Sequence, residues 1–280
     1  MNKLSIKKQI LILQSLCEGN SIRSTERISQ THRDTIMRLL VSAGERAQKI
    51  MDEKFINLKS NYIQADEIWT YCYKKKTNQT KEEKKNVEIG DQYVFVAMDS
   101  ETKLVPTFYV GKRNLDSTKV FINQLKERIV NRFQFSTDSF PGYCQAVNES
   151  FGEEIDFAQT TKMYANDNQF ERRYSPPKII CMRKKWINGN PEFTRISTSH
   201  VERQNLTMRM NMRRFTRLTN AFSKKLENLK AACSLHFFYY NFMRVHQTLR
   251  ATPAMESNVT NHIWSWEEFL GQKLLSKKVA

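Results

Sequence analysis

Apolar residues recur every three or four positions along the first fifty residues of the chain. Ile6, Ile10, Leu13 and Leu16 or Cys17 mark one helical face, which stops at Gly19-Asn20. Ser21 can cap a second, short helix carrying Ile22 and Ile28, and Thr31 a third with Ile36, Leu39 and Leu40 on one side. Three such helices in succession have the pattern of a helix-turn-helix. In that arrangement the third helix enters a major groove, and His32, Arg33, Thr35 and Arg38 lie on its outward N-terminal part, within reach of base edges and phosphates. A small helical bundle with solvated arginines fits the same pattern.

After a polar, helical connector ending near Lys59, the pattern becomes that of strands. Residues 63–69, 93–99 and 104–110 are predicted strands, the last two joined by Ser100-Glu101-Thr102-Lys103 at hairpin length. The charged stretch 74–91 reads as a surface loop. Residues 116–131 are predicted helical, with Phe121, Leu125 and Ile129 four apart, and a fourth strand over 133–137 leaves Asp138 at its carboxyl end. Four acids without a base over 149–156, and six bases without an acid over 172–185, split by Pro176-Pro177, imply different faces. From about Ser199 the pattern is helical again, and Phe222, Leu226, Leu229, Cys233, His236 or Phe237, and Tyr240 form a stripe read as core rather than as a base-stacking surface. The predicted fold is α/β, a mixed sheet flanked by helices, with a small helical region before it and long helices after it.

Charge narrows the partners. Forty-five Lys and Arg against 29 Asp and Glu give a net charge of +16, an excess that suits a polyanion. The longest fully apolar run, 93–98, is far below the roughly 20 residues of a membrane span, so no membrane is expected as partner. The start imitates a secretory signal only weakly, because Gln14-Ser15 interrupts its apolar stretch. Five widely spaced cysteines without a C-x-x-C pair signal neither disulfides nor zinc, and a cytoplasmic location is expected.

Three acids stand where catalysis would need them. Asp66 is on the first strand, Asp138 ends the fourth, and Glu202 is in the first turn of a late helix. Two strand carboxylates and one helix carboxylate can converge on two Mg²⁺ (or Mn²⁺) ions about 3.5–4 Å apart, and hard cations take oxygen ligands. Each acid also has a structural explanation. Ser199-x-x-Glu202 fits a capping box, Asp138 can serve a turn before Pro141-Gly142, and Asp66 can be an ordinary strand acid. Asp99 is assigned to the hairpin turn. Glu67 alternates to the strand face opposite Asp66, so only one of the two is expected at a shared metal site. Between 203 and 230 there are eight bases against Glu227 alone, and Arg203, Asn205, Arg209 and Arg213 follow Glu202 where DNA backbone would lie.

These residues resemble a known family. Gln64-Ala65-Asp66-Glu67-Ile68-Trp69, Thr137-Asp138-Ser139-Phe140, and His200-Val201-Glu202-Arg203-Gln204-Asn205-Leu206 with Arg209 are similar to the catalytic blocks of bacterial insertion-sequence DDE transposases of the insertion-sequence-one type. Arg213-Arg214-Phe215-Thr216-Arg217, and the stretch from Tyr240-Asn241-Phe242 to Leu249, are in the same style, so the resemblance runs from about residue 61 to 255. It implies a ribonuclease-H-like fold and Asp66, Asp138 and Glu202 as catalytic and metal ligands. It also implies a helix-turn-helix over 21–40 and double-stranded DNA, at element ends and target, as substrate. Two ends held together imply a homodimer on DNA. The cysteine-rich zinc ribbon that begins many relatives is missing.

Domains are expected at 1–59, DNA-binding, and 60–280, catalytic. Two other readings stay open: a DNA-binding regulator without catalysis, and a stand-alone ribonuclease-H-like nuclease.

Overall fold

The computed structural model describes residues 4–164, 179–216 and 219–271. Part of the basic block, 172–178, and Arg217 lie outside the described residues.

Helix α1 (Ile6–Cys17) is capped by Ser5, whose Oγ accepts from the N–H of Lys8, and α2 (Ile22–Ser29) by Ser21, which accepts from Ser24. Gln30, left-handed at φ 50°, ends α2. The cap of α3 (Arg33–Lys54) is not Thr31 but His32, whose ring Nδ1 accepts from Asp34 N–H; Thr31 is buried and its hydroxyl donates to the carbonyl of Ser29. The third helix and much of the connector are one continuous 22-residue helix.

The sheet has six strands: β1 (Tyr62–Cys72), β2 (Gly90–Asp99), β3 (Thr107–Gly111), β4 (Gln134–Asp138), β5 (Asp156–Tyr164) and β6 (Ile179–Asn188). Their order is β3-β2-β1-β4-β5-β6. Strand β1 pairs antiparallel with β2 and parallel with β4; β4 pairs parallel with β5, and β5 antiparallel with the edge strand β6. A meander running outward from the central strand β1, with parallel strands on its other side, is the ribonuclease-H-like arrangement. Helices α4 (Leu115–Lys126) and α5 (Pro141–Phe151) cover one face, with Phe121 against Phe95 and Tyr143 against Phe135. The other face takes α6 (Ser199–Asn211) and α7 (Leu226–Phe238), where Phe237 stacks on Phe108.

The stripe predicted for α7 is core. Leu229, Cys233, His236, Phe237 and Tyr240 are all buried, while Phe222 precedes the helix and lies half-buried against Tyr71. Ala43, Ala47, Ile50 and Met51 of α3 belong to the same continuous core as the sheet. The α3–α7 crossing is close enough that a Cβ on Gly44 would come 2.4 Å from the carbonyl oxygen of Ala231. After Met243 only short helices follow among the described residues, α8 (Pro253–Glu256) and α9 (Trp266–Gly271).

Three elements were not predicted: α5, β5 and β6. Pro141-Gly142 reads as a turn, yet Pro141 sits in the first turn of α5, where its missing N–H costs nothing. The exposed, basic β6 lacks the alternation of a half-buried strand. No helix among the described residues is long and apolar enough to cross a membrane.

Candidate active site

The site forms where β4 ends. Ala65 pairs with Thr137, so the next residues, Asp66 and Asp138, adjoin at the edge of the parallel pair. Asp66 pairs with Val96 and faces α6, while Glu67 pairs with Phe95 and faces α5. Because β4 stops at Asp138, no strand separates the two faces of β1 beyond it. The carboxylates of Asp66, Glu67 and Asp138 each place an oxygen within 4.8 Å of the others. This corrects the expectation that strand alternation would keep Glu67 away from a site shared with Asp66.

Mutual repulsion and burial mark the cluster. Burial, then the Asp138 carboxylate, raise the Asp66 pKa to about 6, and Glu202 adds to the rise. Burial and Asp138 likewise push Glu67 up to about 7, against the relief given by Tyr143 and Arg113. Arg113 bridges the acids: its Nε lies 3.0 Å from Glu67 and its Nη2 3.3 Å from Asp138, with the guanidinium over the Phe140 ring. The other Asp138 oxygen accepts from Phe140 N–H at 3.0 Å, so Asp138 does close a turn with one oxygen while offering the second to the cluster.

Glu202 is delivered by α6, which is seated on β1 through a side chain. Gln64 Oε1 accepts from the N–H groups of His200 (2.9 Å) and Val201 (3.3 Å), capping the helix from two residues before Asp66. Asn205, one turn on, is buried and donates to Asp66 at 2.9 Å. The predicted capping box does not form: Thr198, not Ser199, is the cap, and the Glu202 carboxylate accepts from the Thr198 hydroxyl at 2.6 Å and pairs with Lys162 of β5. Glu202 thus raises the Asp66 pKa from across the site but is not among the three clustered acids.

Asp99 closes the β2–β3 turn by accepting from Glu101 and Thr102. Of the other candidates, Arg203 and Arg213 are exposed, and Arg209 is half-buried, donating to the Phe215 carbonyl. His32, Arg33 and Arg38 are exposed around the start of α3, with Thr35 half-buried beside them. Gly19, at φ +82°, holds the α1–α2 turn against the end of α6, where a Cβ would lie 3.0 Å from the Met210 carbonyl. The α1–α2 turn thus packs on the end of the helix that carries Arg203, Asn205 and Arg209. Sequence reasoning missed Arg113, Tyr143 and Lys162; the last stands on a strand that carried no strand signal.

An oxygen-only donor set with raised carboxyl pKa values suits a hard divalent cation, which relieves the repulsion that the acids impose on one another.

No protein-family model matches the chain, and no curated protein does. Among solved structures it is similar to a piggyBac transposase in a synaptic complex with hairpin DNA, determined by cryo-electron microscopy. The identity is 11% and the TM-score 0.38, over 95% of this chain and 68% of that one.

Proposed function

We propose that the chain is a DDE transposase that binds the terminal inverted repeats of an insertion element, cleaves DNA there and joins the freed 3′-hydroxyls to target DNA. The observation that carries this is the meeting of Asp66, Glu67 and Asp138 at the end of β4, with Glu202 brought to the same edge by α6. The sequence blocks around these residues support the insertion-sequence-one type.

Asp66, Asp138 and Glu202 would hold Mg²⁺ or Mn²⁺, with Glu67 adding a carboxylate. Bound there, the metal would supply activation of the attacking oxygen and stabilisation of the leaving one. Asn205 orients the Asp66 carboxylate, and Arg113 ties Glu67 to Asp138. The +16 charge supports DNA as the substrate. The division of labour is residues 1–59 for end recognition, through the helix-turn-helix over 21–40, and 60–280 for catalysis. A homodimer on DNA and a cytoplasmic, nucleoid-associated location complete the reading.

Incubation with labelled duplex from the parent element's end, with and without Mg²⁺, tests it. Nicked and joined products that require the metal are expected. Binding without either product would favour a non-catalytic regulator, and cleavage without preference for that end a stand-alone nuclease.

A further inference from the structure

A cleft of about 1010 Å³ lies between the N-terminal helices and the segment that leads from α6 into α7. Arg23 and Arg33 line it from one side, Arg213, Arg214 and Lys224 from the other. The acid lining it, Asp34, is engaged by Arg33 at 3.7 Å and by His32 at 3.6 Å. Arg23, Arg213, Arg214 and Lys224 form no ion pair among the described residues, whose bridges involve other cations.

Two groups in the cleft lack the partners that folded interiors normally provide. Arg214 is deep enough that burial lowers its pKa, yet its side-chain hydrogen bond is to the neutral hydroxyl of Ser223, at 2.7 Å. A half-buried guanidinium without a carboxylate is costly unless something anionic compensates it. His236 is 3% exposed, and neither ring nitrogen has a hydrogen-bond partner. The walls between these polar groups are apolar, with Leu16, Met37, Leu40 and the ring of Phe222.

We propose that this cleft binds a short unpaired segment of a DNA strand, phosphates on Arg214 and the rim cations, a base against Phe222. The inference rests on the reading of the chain as DNA-acting and specifies a second contact for that substrate. Cations above an apolar, aromatic wall are the elements of a single-strand site. A volume at the upper end of small-molecule sites admits a few unpaired nucleotides, not a duplex. The position fits as well: the cleft adjoins the C-terminal end of α6, roughly 15 Å along the helix from Glu202. A strand leaving the active site along α6 reaches it.

The test is fluorescence anisotropy, without divalent metal, on a labelled duplex that is blunt or carries a short thymidine tail. Wild type is expected to bind the tailed form about tenfold more tightly, the scale of stacking one base. Arg23→Glu with Lys224→Glu, both at exposed positions, should abolish that preference, as should Phe222→Ala. The tail's contribution to the slope of log K against log salt should shrink by about 0.7 for each phosphate no longer held. Circular dichroism of each variant separates lost binding from lost folding, and the exposed pair keeps the test open should Phe222→Ala unfold. Equal affinity of wild type for the two duplexes, or a preference unchanged in folded variants, would overturn the proposal. Metal-dependent joining without a tail preference would sink the cleft alone, whereas a tail preference without joining would sustain the cleft and sink the transposase reading.

Discussion

The side chain of Gln64 accepts the backbone N–H of His200 at 2.9 Å, so the helix that carries Glu202 takes its cap from the strand that carries Asp66. One side chain, two residues before Asp66, therefore holds the backbone two residues before Glu202. Replacing Gln64 by Ala leaves two N–H groups of the first turn without an acceptor and should cost about 1 kcal/mol. Urea denaturation measures that loss. Strand transfer should fall further than stability does, with DNA affinity little changed.

Asp66 and Glu67 predict an inverted acid response. Their pKa values rise on folding, to about 6 and about 7, so the folded chain binds these protons more tightly than the unfolded one. Their contribution to stability is therefore greatest below the unfolded values near pH 4, and falls as pH rises through the folded ones. Without divalent metal, Glu67→Gln should flatten the fall in melting temperature between about pH 4 and pH 7. Mg²⁺ should raise the melting temperature more at pH 8 than at pH 5. An unchanged pH profile in the Glu67 variant would contradict the origin assigned to these shifts.

Lys162 and Glu202 form an internal ion pair. A cation and Lys162 should compete for that carboxylate, so Lys162→Met should tighten Mn²⁺ binding in calorimetry and, without metal, lower stability by leaving a half-buried charge unpaired. Weaker Mn²⁺ binding in a folded variant would instead make Lys162 a support of the site.

Gly44 permits the close crossing of α3 and α7. A Cβ there would meet the Ala231 backbone at 2.4–2.5 Å, so Gly44→Ala should cost on the order of 1–3 kcal/mol in chemical denaturation. An unchanged midpoint would show that the helices can part without penalty.

Much of this arrangement was legible in the sequence because short-range pattern decides it. The periodicity of Ile6, Ile10 and Leu13, the alternation along β1 and the turn at Asp99 all register within a few residues. The C-terminal end of β4 could be located, and with it Asp138. What stayed hidden depends on tertiary placement. The start of α5 looked like a turn because Pro141-Gly142 favours both, and the solvated β6 showed no buried face. Strand alternation sets Glu67 on the face opposite Asp66, a rule that keeps them apart only where a neighbouring strand continues alongside. Arg113 lies 46 positions from Glu67 in sequence, and only the folded sheet brings them within 3.0 Å.

The most direct measurement is strand transfer of a labelled element end in Mg²⁺ by wild type and by Glu202→Gln, with DNA affinity followed in parallel. Joined product from wild type, none from the variant, and equal DNA binding by both are the predicted results. Joining by a folded Glu202→Gln protein at the wild-type rate would contradict the account, leaving Glu202 as no more than the partner of Lys162 and Thr198.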